Sequence, residues 1–173
     1  GKLTLTNING LCRIALDKLK KTYEQDIQEK NIRIVFDNLT LSLMMEVNVE
    51  QFSKVLAGIL KNSMYALLKK SETVTFSPEI FLGLKVNKDM LEITIRDNGS
   101  GIDENIKDKI FAPFFTTKTT GEAAGVGLYL CREIVQNHRG TIEVESKKGE
   151  YTQFLITMPV YQPKTITPPK EEE

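Results

Sequence analysis

Histidine is almost missing: His138 is the only one among 173 residues, and cysteine is limited to Cys12 and Cys131. A zinc site of the usual histidine and cysteine spacing cannot be built from that set, which removes a large class of metalloenzymes. The two cysteines lie far apart in amphipathic stretches and read as free thiols packed in a core, suited to a reducing compartment. Excess charge is missing too. With 23 basic and 23 acidic residues, there is no electrostatic reason to expect nucleic acid or an anionic membrane as partner. No apolar run is long enough to cross a bilayer and no charged start precedes an apolar core, so these residues read as soluble. There is no GxxxxGK[ST] loop and no internal repeat.

What remains is ordinary globular material, 40% apolar and 27% charged, of a length that suits one domain. From Asn9 to about Lys30 the spacing predicts one helix, with Leu11, Ile14, Ala15, Leu19 and Tyr23 near one face. IRIVFD and LSLMMEV predict two strands separated by NLT. A long amphipathic helix follows, opened by Asn48 and Gln51 in the pattern of a capping box. EIFLGLKV and MLEITIR predict a strand pair joined by NKD, with Gly83 a weak point in the first. After DNGSG the pattern predicts a short helix from about Asp103, then an irregular run IFAPFFTTKTTGEAAGVG rich in Gly, Thr and Pro. VGLYLCREIVQNH predicts a helix stopped at Arg139-Gly140 in the manner of a glycine cap. GTIEVES and TQFLITMPV predict closing strands around the turn KKGE, and the three prolines of YQPKTITPPKEEE predict a mobile tail. Strand pairs interspersed with helices imply an α/β (α+β) two-layer sandwich.

Three places can carry chemistry. Asn62 shares a helix face with Val55, Ile59 and Ala66. It is either a core carboxamide bonded to backbone, or a hard oxygen ligand for Mg²⁺, which takes few protein groups and fills its octahedron with phosphates and water. DNGSG at a strand end is either a tight turn, or an aspartate accepting from an exocyclic amine with Gly99 and Gly101 clearing the backbone for a flat ring. In GEAAGVGL, the N–H groups of Gly125, Val126, Gly127 and Leu128 at a helix start suit phosphates. The dinucleotide motif GxGxxG fails there, because Leu130 stands where a third glycine is required.

In this order the three features resemble the ATP-binding catalytic domain of bacterial sensor histidine kinases, within the superfamily that also holds DNA gyrase, MutL and a class of heat-shock chaperones. VLAGILKNSMYAL resembles the N box, DNGSG the first glycine box, IFAPFFTTK the F box, TTGEAAGVGLYL the ATP lid with the second glycine box, and GEYTQFLITMP the closing GxGTxF pattern. The resemblance covers about residues 5 to 160. It implies a mixed, mainly antiparallel sheet of about five strands under three main helices, with a flexible ATP lid. It also implies residues 1–8 as a junction to an upstream dimerisation region, 9–160 as the ATP-binding domain and 161–173 as a flexible tail.

By this resemblance the cofactors are ATP and Mg²⁺. Asn62 binds the metal and, with Lys118, serves phosphoryl transfer. Asp97 receives the adenine amine, with Thr152 near the base. Tyr65, Ala66, Gly99, Gly101, Ile102, Phe111, Thr117, Gly121, Gly125, Val126, Gly127 and Leu128 complete the nucleotide site, and Phe114 and Phe115 join Phe111 in anchoring the lid. Lys118 is equally readable as a solvated loop lysine. The chain departs from the family at Gly58, where a second asparagine or a water-activating glutamate is common, so intrinsic hydrolysis should be slow. It departs also at Ala123, Ala124, Val126 and Tyr151.

His138, in the last turn of a helix, reads as a cation favouring the helix C-terminus rather than as the phosphoacceptor. The acceptor histidine is then expected on a separate dimerisation domain of the same full-length protein, with a response-regulator receiver domain as onward partner. The isolated domain is expected to be monomeric and cytoplasmic, and the full-length protein a homodimer that some members of the family anchor in the inner membrane. The alternatives are a serine/threonine kinase of the anti-sigma type and a degenerate nucleotide-binding interaction module.

Overall fold

The structure, a computed structural model, describes residues 2–113 and 127–160. In chain order the elements are β1 (Thr4–Asn7), α1 (Ile8–Thr22), α2 (Glu24–Lys30), β2 (Arg33–Asp37), β3 (Met44–Val47), α3 (Val49–Ser71), β4 (Glu79–Asn87), β5 (Met90–Asp97), a 3-10 turn (Lys107–Lys109), α4 (Leu128–Asn137), β6 (Thr141–Lys147) and β7 (Tyr151–Pro159). Five strands form one sheet in the order β2-β4-β5-β7-β6, parallel only between β2 and β4. β1 and β3 form a separate antiparallel pair.

Alternation along the central strands decides which face is covered. In β5, Leu91, Ile93 and Ile95 are buried, and in β7 they lie opposite Met158, Ile156 and Phe154. The intervening Glu92, Thr94 and Arg96 point to the other, less buried face. The helices bury the first face: α1, α3 and α4 contribute Leu16, Ile59, Leu60, Met64, Ile134 and Val135 to the same core. This is the two-layer sandwich expected, with five strands and three main helices.

Several local expectations are corrected. The predicted helix 9–30 breaks at Tyr23, whose backbone leaves helical geometry (φ −111°, ψ 26°). Beyond Leu19, Tyr23 and Ile27 still pack against the core but are only partly buried, and α2 fully buries none of its residues. Ile14, assigned to the apolar face, is 55% exposed, and the buried stripe is Ile8, Leu11, Cys12, Ala15, Leu16 and Leu19. β2 and β3 do not pair. β2 joins β4, while β3 pairs with β1, a strand within the stretch read as a junction. The loop between them is held by Asn9, which donates Nδ2–H to Leu39 O (3.0 Å) and accepts from Leu39 N (2.9 Å) at Oδ1. β4 runs unbroken through Gly83, where the Phe81 ring occupies the space a side chain would take. The short helix expected from Asp103 is reduced to the 3-10 turn.

The stop at the end of α4 is shifted by one residue. Arg139, not Gly140, takes the left-handed conformation (φ 62°). Arg139 N donates to Gln136 O (2.9 Å) and Gly140 N to Val135 O (2.9 Å), the paired bonds of a Schellman motif. Gly140 is needed for space: a Cβ would lie 2.6 Å from Thr157 O.

Candidate functional site

The row Leu91, Ile93, Ile95 on the core face of β5 ends on Asp97, which is only 2% exposed. Its partner across the ladder is Thr152 on β7, 5% exposed, so both side chains share a sheet face. Burial pushes the Asp97 carboxyl up to about 7, against the opposing pull of the Gly99 N–H, the Ser63 hydroxyl, Lys70 and Arg96. Gly99 N donates to Asp97 Oδ1 at 2.9 Å. Ser63 is 1% exposed and lies near enough to favour the ionised carboxylate, yet its Oγ makes no hydrogen bond of ordinary geometry among the described residues. A buried acid and a buried hydroxyl with unspent hydrogen-bonding capacity thus sit side by side. Together they fit a planar ligand that offers an N–H donor and ring acceptors.

The glycines of DNGSG do different work. Gly99 lies against α3 so closely that a Cβ would be 2.6 Å from the Ala66 carbonyl carbon, and Ser100 N donates to Ala66 O (3.1 Å). Gly101 has φ +66°, and a Cβ there would run into the Lys147 carbonyl. Asn98 between them staples the entry to β4: Oδ1 accepts from Glu79 N (2.8 Å) and Nδ2 donates to Ser77 O (2.8 Å). Lys70 Nζ donates to Asn98 O (2.9 Å) while lying over the Phe76 ring. The stretch is therefore a turn whose two glycines are required by close contact with the Ala66 and Lys147 backbone, rather than by space left for a ring.

Asn62 is half-buried one helical turn before Ala66, beside Ser63, so α3 carries it toward the Asp97 end of the sheet. Tyr65 is half-buried on the same helix. Ile102 N donates to Ser146 Oγ (2.8 Å), which also lies 3.0 Å from Thr152 Oγ1 and donates to Tyr151 O (2.7 Å). Phe111 packs edge-on to Phe154 (6.3 Å, 83°), with Arg132 over its ring. Gly127 precedes Leu128 at the start of α4, and a Cβ at Gly127 would meet nothing within 4 Å. Phe114, Phe115, Thr117, Lys118, Gly121, Ala123, Ala124, Gly125 and Val126 lie outside the described residues.

Ser63, Ser146 and Lys70 were missed in the sequence. Ser63 alone left a signal there, as a polar residue at a core position of an amphipathic helix. Among the described residues no group of three His, Cys, Asp or Glu side chains can hold a metal ion. A cation held beside these residues would take most of its ligands from elsewhere, and a carboxamide oxygen is a ligand of the hard type that Mg²⁺ accepts. A concavity of about 300 Å³ between α1 and α3 is lined by Ser53, Ala57, Leu60 and Lys61 on the side of α3 turned away from Asn62. It is separate from the Asp97 site.

His138 is 4% exposed, and both ring nitrogens face backbone groups. Nε2 accepts from Asn48 N (3.0 Å), so the expectation of a cation at the helix C-terminus is corrected. Cys12 and Cys131 are buried free thiols, each pushed by burial up to about 12.

Residues 48–162 match the family model described as histidine kinase-, DNA gyrase B- and HSP90-like ATPase. The chain is 34% identical over 149 residues to cyanobacterial phytochrome A of Nostoc sp., covering 84% of this chain and 18% of that protein. It is 28% identical to the sensor histidine kinase ZraS of Salmonella typhi, covering 91% of this chain and 31% of that one. It thus spans less than a third of the length of these curated relatives. The catalytic domain of histidine kinase ThkA aligns with TM-score 0.74 and 28% identity over 92% of this chain and 96% of that one. ThkA in complex with response regulator protein TrrA aligns with TM-score 0.68 and 25% identity, over 92% of this chain and 42% of that one. With the family model matching from the N-cap of α3 through β7, and with the fold of a histidine kinase catalytic domain, the chain belongs to the histidine kinase-, DNA gyrase B- and HSP90-like ATPase family.

Proposed function

We propose that this chain is the catalytic ATP-binding module of a sensor histidine kinase. It binds Mg-ATP and donates the γ-phosphate to a histidine on the dimerisation domain of the same full-length protein, for onward transfer to a response-regulator aspartate. The observation that carries this reading is Asp97: a carboxyl buried at the end of an apolar row, raised to about 7, beside the buried Ser63 hydroxyl and a backbone seated against Ala66. That histidine kinase ThkA forms a complex with a response regulator protein supports a response regulator as partner.

Phosphoryl transfer asks the protein for position and charge neutralisation more than for covalent chemistry. In this reading Asp97 accepts the adenine amine N–H and Thr152 lines the base. Gly99 lets the end of β5 seat against Ala66 of α3, and Gly101 lets the chain turn past the Lys147 carbonyl, which holds Asp97 in place beside the base. The Asn62 carboxamide oxygen would help hold the magnesium ion, which would supply charge neutralisation at the phosphates. Gly127 and Leu128 offer backbone N–H groups from the start of α4 to the phosphates, where the helix dipole favours negative charge. Lys118 and the other glycines of the lid belong to the same reading. Gly58, buried one turn before Asn62, presents no base to activate water, so transfer is favoured over hydrolysis. The full-length protein is read as a homodimer, with this domain on the cytoplasmic side of any membrane anchor. Among the described residues no helix is long and apolar enough to cross a membrane.

Calorimetric titration of Mg-ATP into the wild type and Asp97→Asn tests the adenine contact. A buried charge-assisted bond of this kind predicts at least a roughly tenfold weaker affinity for the variant. Equal affinities reject the assignment.

A further inference from the structure

His138, the lone histidine, takes no part in the chemistry above, yet it is among the few fully engaged polar side chains in the core. We propose that it is a positioning residue. It ties the end of α4 to the start of α3, and so fixes the angle at which Asn62 and the Gly127-Leu128 backbone approach one nucleotide. This inference rests on the nucleotide-binding reading.

The bonding defines one tautomer. Asn48 N can only donate, and it lies 3.0 Å from Nε2, so Nε2 carries a lone pair. The Ile134 carbonyl can only accept, and it lies 2.7 Å from Nδ1, so Nδ1 carries the proton. Asn48 is the N-cap of α3, its Oδ1 accepting from Gln51 N at 3.0 Å. In a complete capping box the side chain three residues on would return to the cap's own N–H. Here that N–H is met by a histidine 90 positions away in sequence. Phe52, 1% exposed in the first turn of α3, packs its ring against the imidazole (5.6 Å, 66°). On the other side the Arg139 left-handed turn and the tight fit of Gly140 leave His138 little room to shift.

The lever is long. α3 and α4 pack against each other, and the clamp joins the start of one to the end of the other, so from it the two extend side by side with opposite chain directions. At 1.5 Å per residue, Asn62 lies roughly 21 Å along α3 from Asn48, and Gly127 roughly 16 Å along α4 from His138. Asn62 therefore lies well along one rod and Gly127 at the far end of the other, the two pinned together at His138. A small change of angle at the pin becomes a displacement of about an ångström or more at the nucleotide, enough to weaken its binding.

The test uses two replacements in the 173-residue chain. In His138→Gln the carboxamide oxygen reaches the place of Nε2 and still accepts from Asn48. In His138→Asn the shorter amide reaches only the place of Nδ1 and leaves Asn48 N–H without its partner. Amide hydrogen exchange at Asn48 and the Kd for Mg-ADP are measured for both. The expected result is lost Asn48 protection and roughly tenfold weaker binding in His138→Asn, with both restored to within about threefold in His138→Gln. His138→Asn that melts earlier yet binds Mg-ADP like the wild type reduces the residue to a fold-stabilising one and overturns the proposal. So does unchanged Asn48 protection in both variants. Failure of the underlying reading looks different: the wild type then binds no Mg-ADP, and the positioning role falls with it.

Discussion

Asp97 is held near neutrality by burial, and this gives the site a pH signature of known sign. Its folded value of about 7 lies above the ordinary 3.8. Folding therefore favours the protonated form, and the associated stability is fully present below 3.8 and lost as pH rises through about 7. Asp97→Asn keeps the shape and cannot ionise. The nucleotide-free wild type should then lose urea stability relative to Asp97→Asn between about pH 5 and pH 8. A difference that stays flat across that range contradicts the burial of the carboxyl. Gly99→Ala is a second residue-scale prediction. The new methyl meets the Ala66 backbone at 2.6 Å, which a side-chain rotation cannot relieve. Overpacking against backbone should lower stability by about 1–3 kcal/mol and weaken nucleotide binding with it, as read by denaturation and calorimetry on the same variant.

At the scale of elements, α3 organises the site, presenting Asn62, Ser63, Ala66 and Lys70 toward the end of β5. Its start depends on the Asn48 side chain, so Asn48→Ala should cost about 1 kcal/mol of stability, measured as a shift in the denaturation midpoint. Local periodicity made α3, β4, β5, α4, β6 and β7 legible, because each has a face that must be buried. It failed where tertiary contacts overrode local pattern. The break at Tyr23 left no local signal, because Tyr23 and Ile27 continue the apolar spacing across it, and the partner of β3 is a four-residue strand too short to show alternation. The exposed Ile14 has the same cause: two stripes on α1 were compatible with the spacing, and packing against α3 selected one. The burial of Asp97 was not read from the sequence, although the alternation Leu91, Ile93, Ile95 continues onto it and carries the signal. The histidine clamp carries none, since it joins residues 90 positions apart.

For the molecule as a whole, the two-layer arrangement keeps one sheet face and three helices as a rigid frame and places the candidate site at one end of it. Division of labour along α3 predicts that Asn62→Ala separates binding from transfer. Adenine recognition through Asp97 should survive within about threefold, while phosphoryl transfer to the histidine-bearing domain supplied in trans falls by about a hundredfold. Radiolabel transfer at saturating Mg-ATP measures this, and unchanged transfer removes Asn62 from its role. The central claim is that the nucleotide lies between the end of β5 and α3, not in the groove between α1 and α3. Amide chemical-shift mapping on adding Mg-ATP decides it most directly. The account predicts the largest changes at Ser63, Ala66, Asp97, Gly99 and Thr152, whereas changes centred on Ser53, Ala57 and Lys61 contradict it.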